Sequence, residues 1–282
     1  ALDRVHVGKY FTEIFTFGEL GARKPEEAFY RAIESKLGGN REEYMMIGDS
    51  YSTDVLGAWH AGWKSAWYNP LKTHCSGHLP VHEIQLQDMK DLPALLRAPE
   101  LPSLNTCLEW LESNQASSNL LIHVQLVAAC AYQMALWLNR NNIAVNSILA
   151  HRGGLLHDLA KLWPEKNMDH GLAASLWLKD KGQEQLAEIA SRHMIYGVLD
   201  EARRPNTWEE KLVYLADKLV EKNSIVSIDE RIAGLKTRYA MEDGLLEKAY
   251  PLLIDLQQEI CTSARVPVND LPGKLAQAIY KS

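Results

Sequence analysis

The chain of 282 residues has only four cysteines, Cys75, Cys107, Cys130 and Cys261, and no C-x-x-C pair. This excludes a disulfide framework and a zinc ribbon, and the cysteines read as free thiols of a reducing cytoplasm. Positive charge is also scarce: 30 Lys and Arg face 36 Asp and Glu, for a net charge of −6. Without an overall basic field, general nucleic-acid binding is not expected, although a local anion site is compatible with this balance. No uninterrupted apolar run reaches the roughly 18 to 20 residues of a membrane span. The best stretch, 120–138, is broken by His123, Gln125 and Gln133, so no membrane partner is expected. The first residues, ALDRVHVGKY, hold neither a signal-peptide core nor an initiator Met, and patterned sequence starts at once. What is present, 46% hydrophobic and 23% charged residues, is the composition of a globular protein.

Up to about Leu96, short apolar runs alternate with helical patterns. Glu13–Phe17, Tyr44–Ile47, Ser65–Tyr68 and Glu83–Leu86 read as strands, with helices over Pro25–Leu37 and Asp54–Ala61, the latter closed by Gly62. That rhythm predicts a parallel α/β sheet. A Pro, Glu and Arg stretch from Arg97 to Pro102 reads as a linker, so 97–118 is a linker with a leading helix. Beyond it the strand signal stops. Helical spacing covers 103–113, 119–139, 143–162, 170–181, 185–193, 207–222, 227–239 and 242–262, with capping boxes at Thr207-x-x-Glu210 and Ser227-x-x-Glu230. The expected organisation is an α/β domain over 1–96 and an all-α bundle over 119–282.

Within the helical part, His123, His157, Asp158, His170, His193 and Asp217 stand on or beside apolar helices. Asp217, in VYLADKLV, has apolar neighbours where an unpaired carboxylate is costly. A metal cluster satisfies all six at once. Imidazole and carboxylate ligands together suit iron or manganese, and helical bundles build such sites from several helices.

The order H…HD…H…H…D, with the strings LLHDLAKL, HGLAASL, SRHMI and VYLADKLV, resembles the HD superfamily of metal-dependent phosphohydrolases, over about Asn119–Ser282. The resemblance implies that His123, His157, Asp158 and Asp217 hold one ion. His170 and His193 would serve a second, with Asp158 bridging, as in the two-metal branch. It also implies that Lys161, which shares a helix face with Asp158, neutralises charge on the phosphate. Arg204, in an Arg203, Arg204, Pro205 run, offers a guanidinium for phosphate, while Lys218, Lys222 and Arg231 read as surface charges. The pattern is similar to bacterial symmetrical dinucleoside tetraphosphatases, with two departures: an insertion over Met194–Glu201 and the string KLVEKNSIVSIDERI after Asp217.

Gly48-Asp49-Ser50-Tyr51-Ser52-Thr53-Asp54 follows a strand and precedes a helix, with Lys24 before Pro25 upstream. These strings resemble the third and fourth motifs of the haloacid dehalogenase (HAD) superfamily. The resemblance makes Lys24 a phosphate-stabilising lysine and Asp49 and Asp54 magnesium carboxylates. The family's D-x-D strand and its Ser/Thr strand do not precede Lys24, since Ala1–Phe11 has room for one helix only. The fold class is therefore a partial HAD-like, Rossmannoid α/β domain followed by an all-α HD-domain bundle. The absent segment is expected in cis, in a longer chain, or in trans, and magnesium is expected at the remnant only when that segment completes it. His74, Cys75, His78 and His82 have spacing compatible with zinc, but no paired knuckle, and are read as a loop.

The expected activity is hydrolysis of a small phosphorylated or nucleotide-like substrate, a pyrophosphate or phosphoester, in the HD part. Two alternatives stand beside it: a nucleotide-binding regulatory module attached to a HAD-type phosphatase, and a mononuclear nucleoside monophosphate phosphatase.

Overall fold

The structure, a computed structural model, describes residues 7–163, 168–238 and 244–280. Ala1–His6, Tyr239 and Glu242, each within an expected helix, lie outside the described residues. By compactness the chain divides between Tyr68 and Asn69 into two units.

The first unit contains α1 (Phe17–Leu20), α2 (Glu27–Leu37), β1 (Met45–Gly48), α3 (Leu56–Ala61) and β2 (Lys64–Tyr68). β1 and β2 pair in parallel, Met45 opposite Lys64 and Gly48 opposite Trp67, with α3 between them in the chain, which is the expected β-α-β rhythm. Tyr30, Ile33, Ala58, Ala61 and Trp63 form the core, and Tyr44 stacks on the Trp63 ring with centroids 4.5 Å apart.

Two expectations are corrected in this unit. Glu13–Phe17 is not a strand: 13–16 is irregular and α1 begins at Phe17. Thr16 and Glu19 form a capping box, the Thr16 N–H donating to Glu19 Oε2 at 2.8 Å, so local hydrogen bonding claims the backbone groups a strand would need. The helix after Asp49 is also shorter than expected, because a wide turn over Tyr51–Val55 precedes α3.

The second unit opens with β3 (Ile84–Leu86) and α4 (Leu92–Leu95) and continues with α5 (Leu104–Ser113), α6 (Ser118–Arg140), α7 (Ser147–Leu156), α8 (His170–Asp180) and α9 (Glu184–Arg192). α10 (Trp208–Lys218), the strands β4 (Val220–Glu221) and β5 (Ser224–Ile225), α11 (Ile228–Arg238), α12 (Leu245–Ala264) and α13 (Leu271–Tyr280) complete it. Side chains cap the starts of several helices: Ser103, Ser117, Asn146, Asp169 and Thr207 each accept a backbone N–H from the first turn. α6 is the central helix, packed by α7, α10, α12 and α13. At 23 residues it is long and apolar enough to cross a membrane by length and composition, yet 78% of its apolar window is buried inside the protein.

Two helix boundaries differ from the sequence expectation, and one helix is additional. The helix expected over 143–162 is α7 alone, followed by turns that carry His157, Asp158 and Lys161. The helix expected over 207–222 stops at Lys218, and the antiparallel β4–β5 hairpin, with Lys222 at φ 55°, turns the chain into α11. α13 was not expected from the sequence at all.

Residues 69–96, grouped by sequence with the α/β part, fall in the helical unit. The reason is polar as well as apolar. Arg152, fully buried on α7, donates from Nη2 to the Pro80 and His82 carbonyls at 3.0 and 3.4 Å and from Nε to the Pro102 carbonyl at 3.1 Å. His78 pairs with Gln133 of α6 at 2.5 Å, and Cys75 with Tyr132 at 3.6 Å. His74 stacks on His78, and His82 meets Gln85 at 3.2 Å, so these four residues serve the packing of the segment on α6 and α7.

Burial makes this clamp sensitive to acid. It pushes the His82 imidazole down to about 3, and His151 is lowered well below its ordinary 6.5 by burial and by Arg152. In both, the folded state disfavours the proton that the unfolded chain binds. The stabilisation they contribute is therefore complete above about pH 6.5 and is lost as pH falls towards the folded values, at roughly 1.4 kcal/mol per pH unit for each imidazole. Thermal unfolding should show a flat Tm above pH 6.5 and a falling one below, with a shallower fall in His82→Gln. A Tm that rises between pH 6.5 and 5 would contradict this.

Candidate metal centre

All six predicted His and Asp residues of the helical unit converge. His123 comes from α6, His157 caps the C-terminus of α7 and Asp158 follows it. His170 opens α8, His193 caps α9 and Asp217 lies in the last turn of α10. The donor atoms fall into two groups, His123 with His157 and Asp158, and Asp158 with His170 and His193, the atoms of each lying within 4.8 Å of one another. Asp158 belongs to both. Its Oδ2 lies 3.6 Å from His123 Nε2 and 3.5 Å from His157 Nε2, and its Oδ1 lies 3.0 Å from His170 Nε2 and 3.3 Å from His193 Nε2. Asp217 adds Oδ1 to the first group, 3.1 Å from His123 Nε2 and 3.6 Å from His157 Nε2.

Backbone carbonyls fix the imidazoles. His157 Nδ1 donates to the Gly154 carbonyl at 2.8 Å and His193 Nδ1 to the Ala190 carbonyl at 2.7 Å. A carbonyl only accepts, so the proton is on Nδ1 and the Nε2 lone pair faces the cluster, the tautomer a metal ligand requires. His157 Nε2 and Asp158 Oδ1 are buried with no hydrogen-bond partner among the described residues. Orphaned acceptors of this kind are rare, and a bound metal would satisfy them. The residues present therefore fit the metal that the sequence implies.

Charge is arranged around the carboxylates. Burial would raise Asp158, but His157, Lys161, His170 and His193 outweigh it and hold the carboxyl well below the usual range. Asp217 behaves alike, with Lys218, His123 and His157 overcoming the burial cost. Burial pushes His193 down to about 4 against the pull of Asp158, so it is neutral and ready to ligate at neutral pH. Lys161 pairs with Asp158 and is part-exposed, and the attraction of Asp158 and Asp217 overcomes its burial and raises it.

Of the remaining basic residues, Lys222 alone of the three read as surface charges is exposed. Lys218 and Arg231, read as surface charges, are 3% and 9% exposed. Lys218 Nζ lies between Asp217 Oδ2 at 2.5 Å and the His193 carbonyl at 2.6 Å, joining the two donor groups. Arg204 is exposed and donates from Nε to the Val198 carbonyl at 3.1 Å, whereas its neighbour Arg203 reaches Asp169, the cap before His170, at 3.2 Å. Lys222 is exposed in the hairpin turn.

Two glycines allow the close approach of helices here. A Cβ on Gly154 would lie 2.5 Å from Ala128 Cα of α6, and one on Gly171 would lie 2.7 Å from the Ala190 carbonyl, the acceptor that orients His193. Gly171→Ala should therefore push α8 from α9 and weaken metal binding at the His170–His193 group by roughly 10- to 100-fold. A manganese titration of the variant checks this, and an unchanged isotherm would contradict it.

The α/β unit brings part of its own predicted set together. Lys24 Nζ pairs with Asp54 Oδ1 at 2.5 Å, and Asp54 Oδ2 accepts the Ser50 N–H at 3.0 Å. Asp49 is exposed, and its backbone carbonyl accepts from Trp67 Nε1 at 3.1 Å.

Comparison with known proteins places these two sites in families. An HD domain matches residues 120–221, and a HAD-hydrolase-like segment matches residues 21–70. An uncharacterized protein of Methanocaldococcus jannaschii is 32% identical over 136 residues, 44% of this chain and 80% of that protein. The pyrimidine 5'-nucleotidase PynA of Streptococcus pneumoniae is 36% identical over 86 residues, 29% of this chain and 36% of that protein. A tRNA (cytidine(56)-2'-O)-methyltransferase of Picrophilus torridus is 30% identical over 141 residues, 46% of this chain and 40% of that protein. The chain thus spans about a third of the nucleotidase's length and four-fifths of the Methanocaldococcus jannaschii protein's. No solved structure matches.

Proposed function

We propose that this chain, which belongs to the HD-domain family and carries a HAD-like segment ahead of its HD domain, is a phosphohydrolase whose reaction takes place at the His and Asp cluster. The finer reading is hydrolysis of a nucleotide-like phosphoanhydride or phosphoester with two divalent ions, iron or manganese. One observation carries it: two donor groups share a single carboxylate, Asp158, and His170 and His193 converge on its second oxygen, where a one-ion site has no use for them.

His123, His157, Asp158 and Asp217 would hold one ion, and Asp158, His170 and His193 the other. Such a pair lowers the pKa of a shared water towards neutrality and neutralises phosphoryl oxygens. The protein's own part is to orient and to balance charge. The Gly154 and Ala190 carbonyls hold the imidazoles in the ligating tautomer, Lys218 ties Asp217 to the α9 terminus, and Lys161 presents an ammonium for a phosphate oxygen. His170 is the more open of the second group, with 28% of its side chain exposed, so substrate is read as entering on that side.

For the α/β unit, the pairing of Lys24 with Asp54 leaves no described group of three metal-binding side chains there. Its β1 strand has β2 as its one described neighbour, so a segment supplied in cis or in trans is the reading for its completion. The manganese-loaded chain, assayed against nucleoside polyphosphates, dinucleoside tetraphosphates and nucleoside monophosphates, should release phosphate or nucleotide from one class. Fully loaded protein with no turnover on any of them would contradict the proposal.

A further inference from the structure

The matched HD segment ends at residue 221, and Arg231 lies beyond it, in the first turns of α11. The β4–β5 hairpin returns the chain so that this arginine faces α10. Its Nη1 donates to Glu221 Oε2 at 2.5 Å, which anchors one edge of the guanidinium to the hairpin. Its Nη2 then lies 3.8 Å from Asp217 Oδ1, the same oxygen that faces His123 and His157. The residue is 9% exposed, and its Nε is buried with no hydrogen-bond partner among the described residues.

A guanidinium carries five N–H donors in a planar fork and does not lose its charge, so a buried, unmet donor at the edge of a cluster calls for an acceptor. The charge count says what kind. Asp158, Asp217 and Glu221 are already matched by Lys161, Lys218 and Arg231. Divalent ions in the two donor groups then make the site strongly positive, and the acceptor drawn to it is an oxyanion. Phosphoryl oxygens fit the guanidinium fork.

We propose that Arg231 is a catalytic residue that binds the phosphoryl group of the substrate from the α11 side, opposite the anchor supplied by Glu221. The proposal rests on the reading of the cluster as a phosphohydrolase centre. It differs from a purely structural role, in which Arg231 only neutralises Asp217 and Glu221, because that role affects metal binding and folding and leaves anion affinity alone.

The test uses the full chain, with inorganic phosphate as the probe in calorimetric titrations, with and without manganese. Arg231→Met should keep the wild-type manganese content, bind phosphate roughly 10- to 100-fold more weakly and lower kcat/KM. Arg231→Lys should fall between, and it carries the comparison if the Met variant does not fold. Added guanidinium ion should restore part of the phosphate affinity in Arg231→Ala. Phosphate affinity unchanged in a variant that retains its metal would overturn the proposal. So would loss of manganese in all variants with no rescue by guanidinium, which would make Arg231 a positioning residue for Asp217. If wild-type protein takes up no manganese, the two-ion reading falls, while the ratio of metal-free phosphate affinities between wild type and Arg231→Met still decides the role of the arginine.

Discussion

Asp158→Ala should leave the chain without bound manganese or iron in either donor group and should lower hydrolysis by at least about 10³-fold, equivalent to about 4 kcal/mol of transition-state stabilisation. The expectation follows from the position of this carboxylate between the groups. Oδ2 faces His123 and His157, and Oδ1 faces His170 and His193, so its removal takes a ligand from both at once. It also removes the ion-pair partner of Lys161. Asp217 cannot substitute, because Lys218 holds its Oδ2 and its Oδ1 serves only the first group. Elemental analysis of the purified variant and a turnover assay check both parts, and a variant that keeps one ion per chain would show that the groups are independent.

Gly154→Ala should have the largest effect on stability. The added Cβ would stand 2.5 Å from Ala128 Cα and 2.8 Å from Ala128 N, backbone atoms of α6 that no change of rotamer can move aside. α6 and α7 must separate. The gain in helix propensity, up to about 1 kcal/mol, is smaller than the cost of overpacking at a helix crossing, and a net loss of roughly 2–3 kcal/mol, or about 5–10 °C in Tm, is expected. Because α6 carries His123 and the turn after α7 carries His157, the same displacement should weaken metal binding at the first group. Thermal unfolding with and without manganese measures both, and a variant as stable as wild type would mean that the two helices can shift freely.

The candidate site was legible because its residues are out of place locally. An aspartate in VYLADKLV and histidines beside apolar runs are costly choices, and the structure gathers all six into two groups that meet at Asp158. Two of the basic residues were not legible. Lys218 and Arg231 look like solvated charges in sequence, and the β4–β5 hairpin that returns Arg231 to Asp217 was concealed by helical spacing carried through to Lys222. The strand expected at Glu13–Phe17 rested on a short apolar run in an alternating rhythm. A capping box, Thr16-x-x-Glu19, was present in the same residues, the same signal that marked Thr207 and Ser227 correctly. Segment 69–96 carries strand-like spacing, but what groups it with the helical unit is Arg152, more than fifty positions away from the Pro80 and His82 carbonyls it binds. Contacts at such separations leave no periodic mark in a sequence.

Asp158 joins the two donor groups in one cluster. The most direct test is the metal content of the wild-type chain after loading with manganese, read together with its electron paramagnetic resonance spectrum. Two ions per chain with a spin-coupled signal are the expected result. A single ion per chain with the signal of an isolated ion would contradict it.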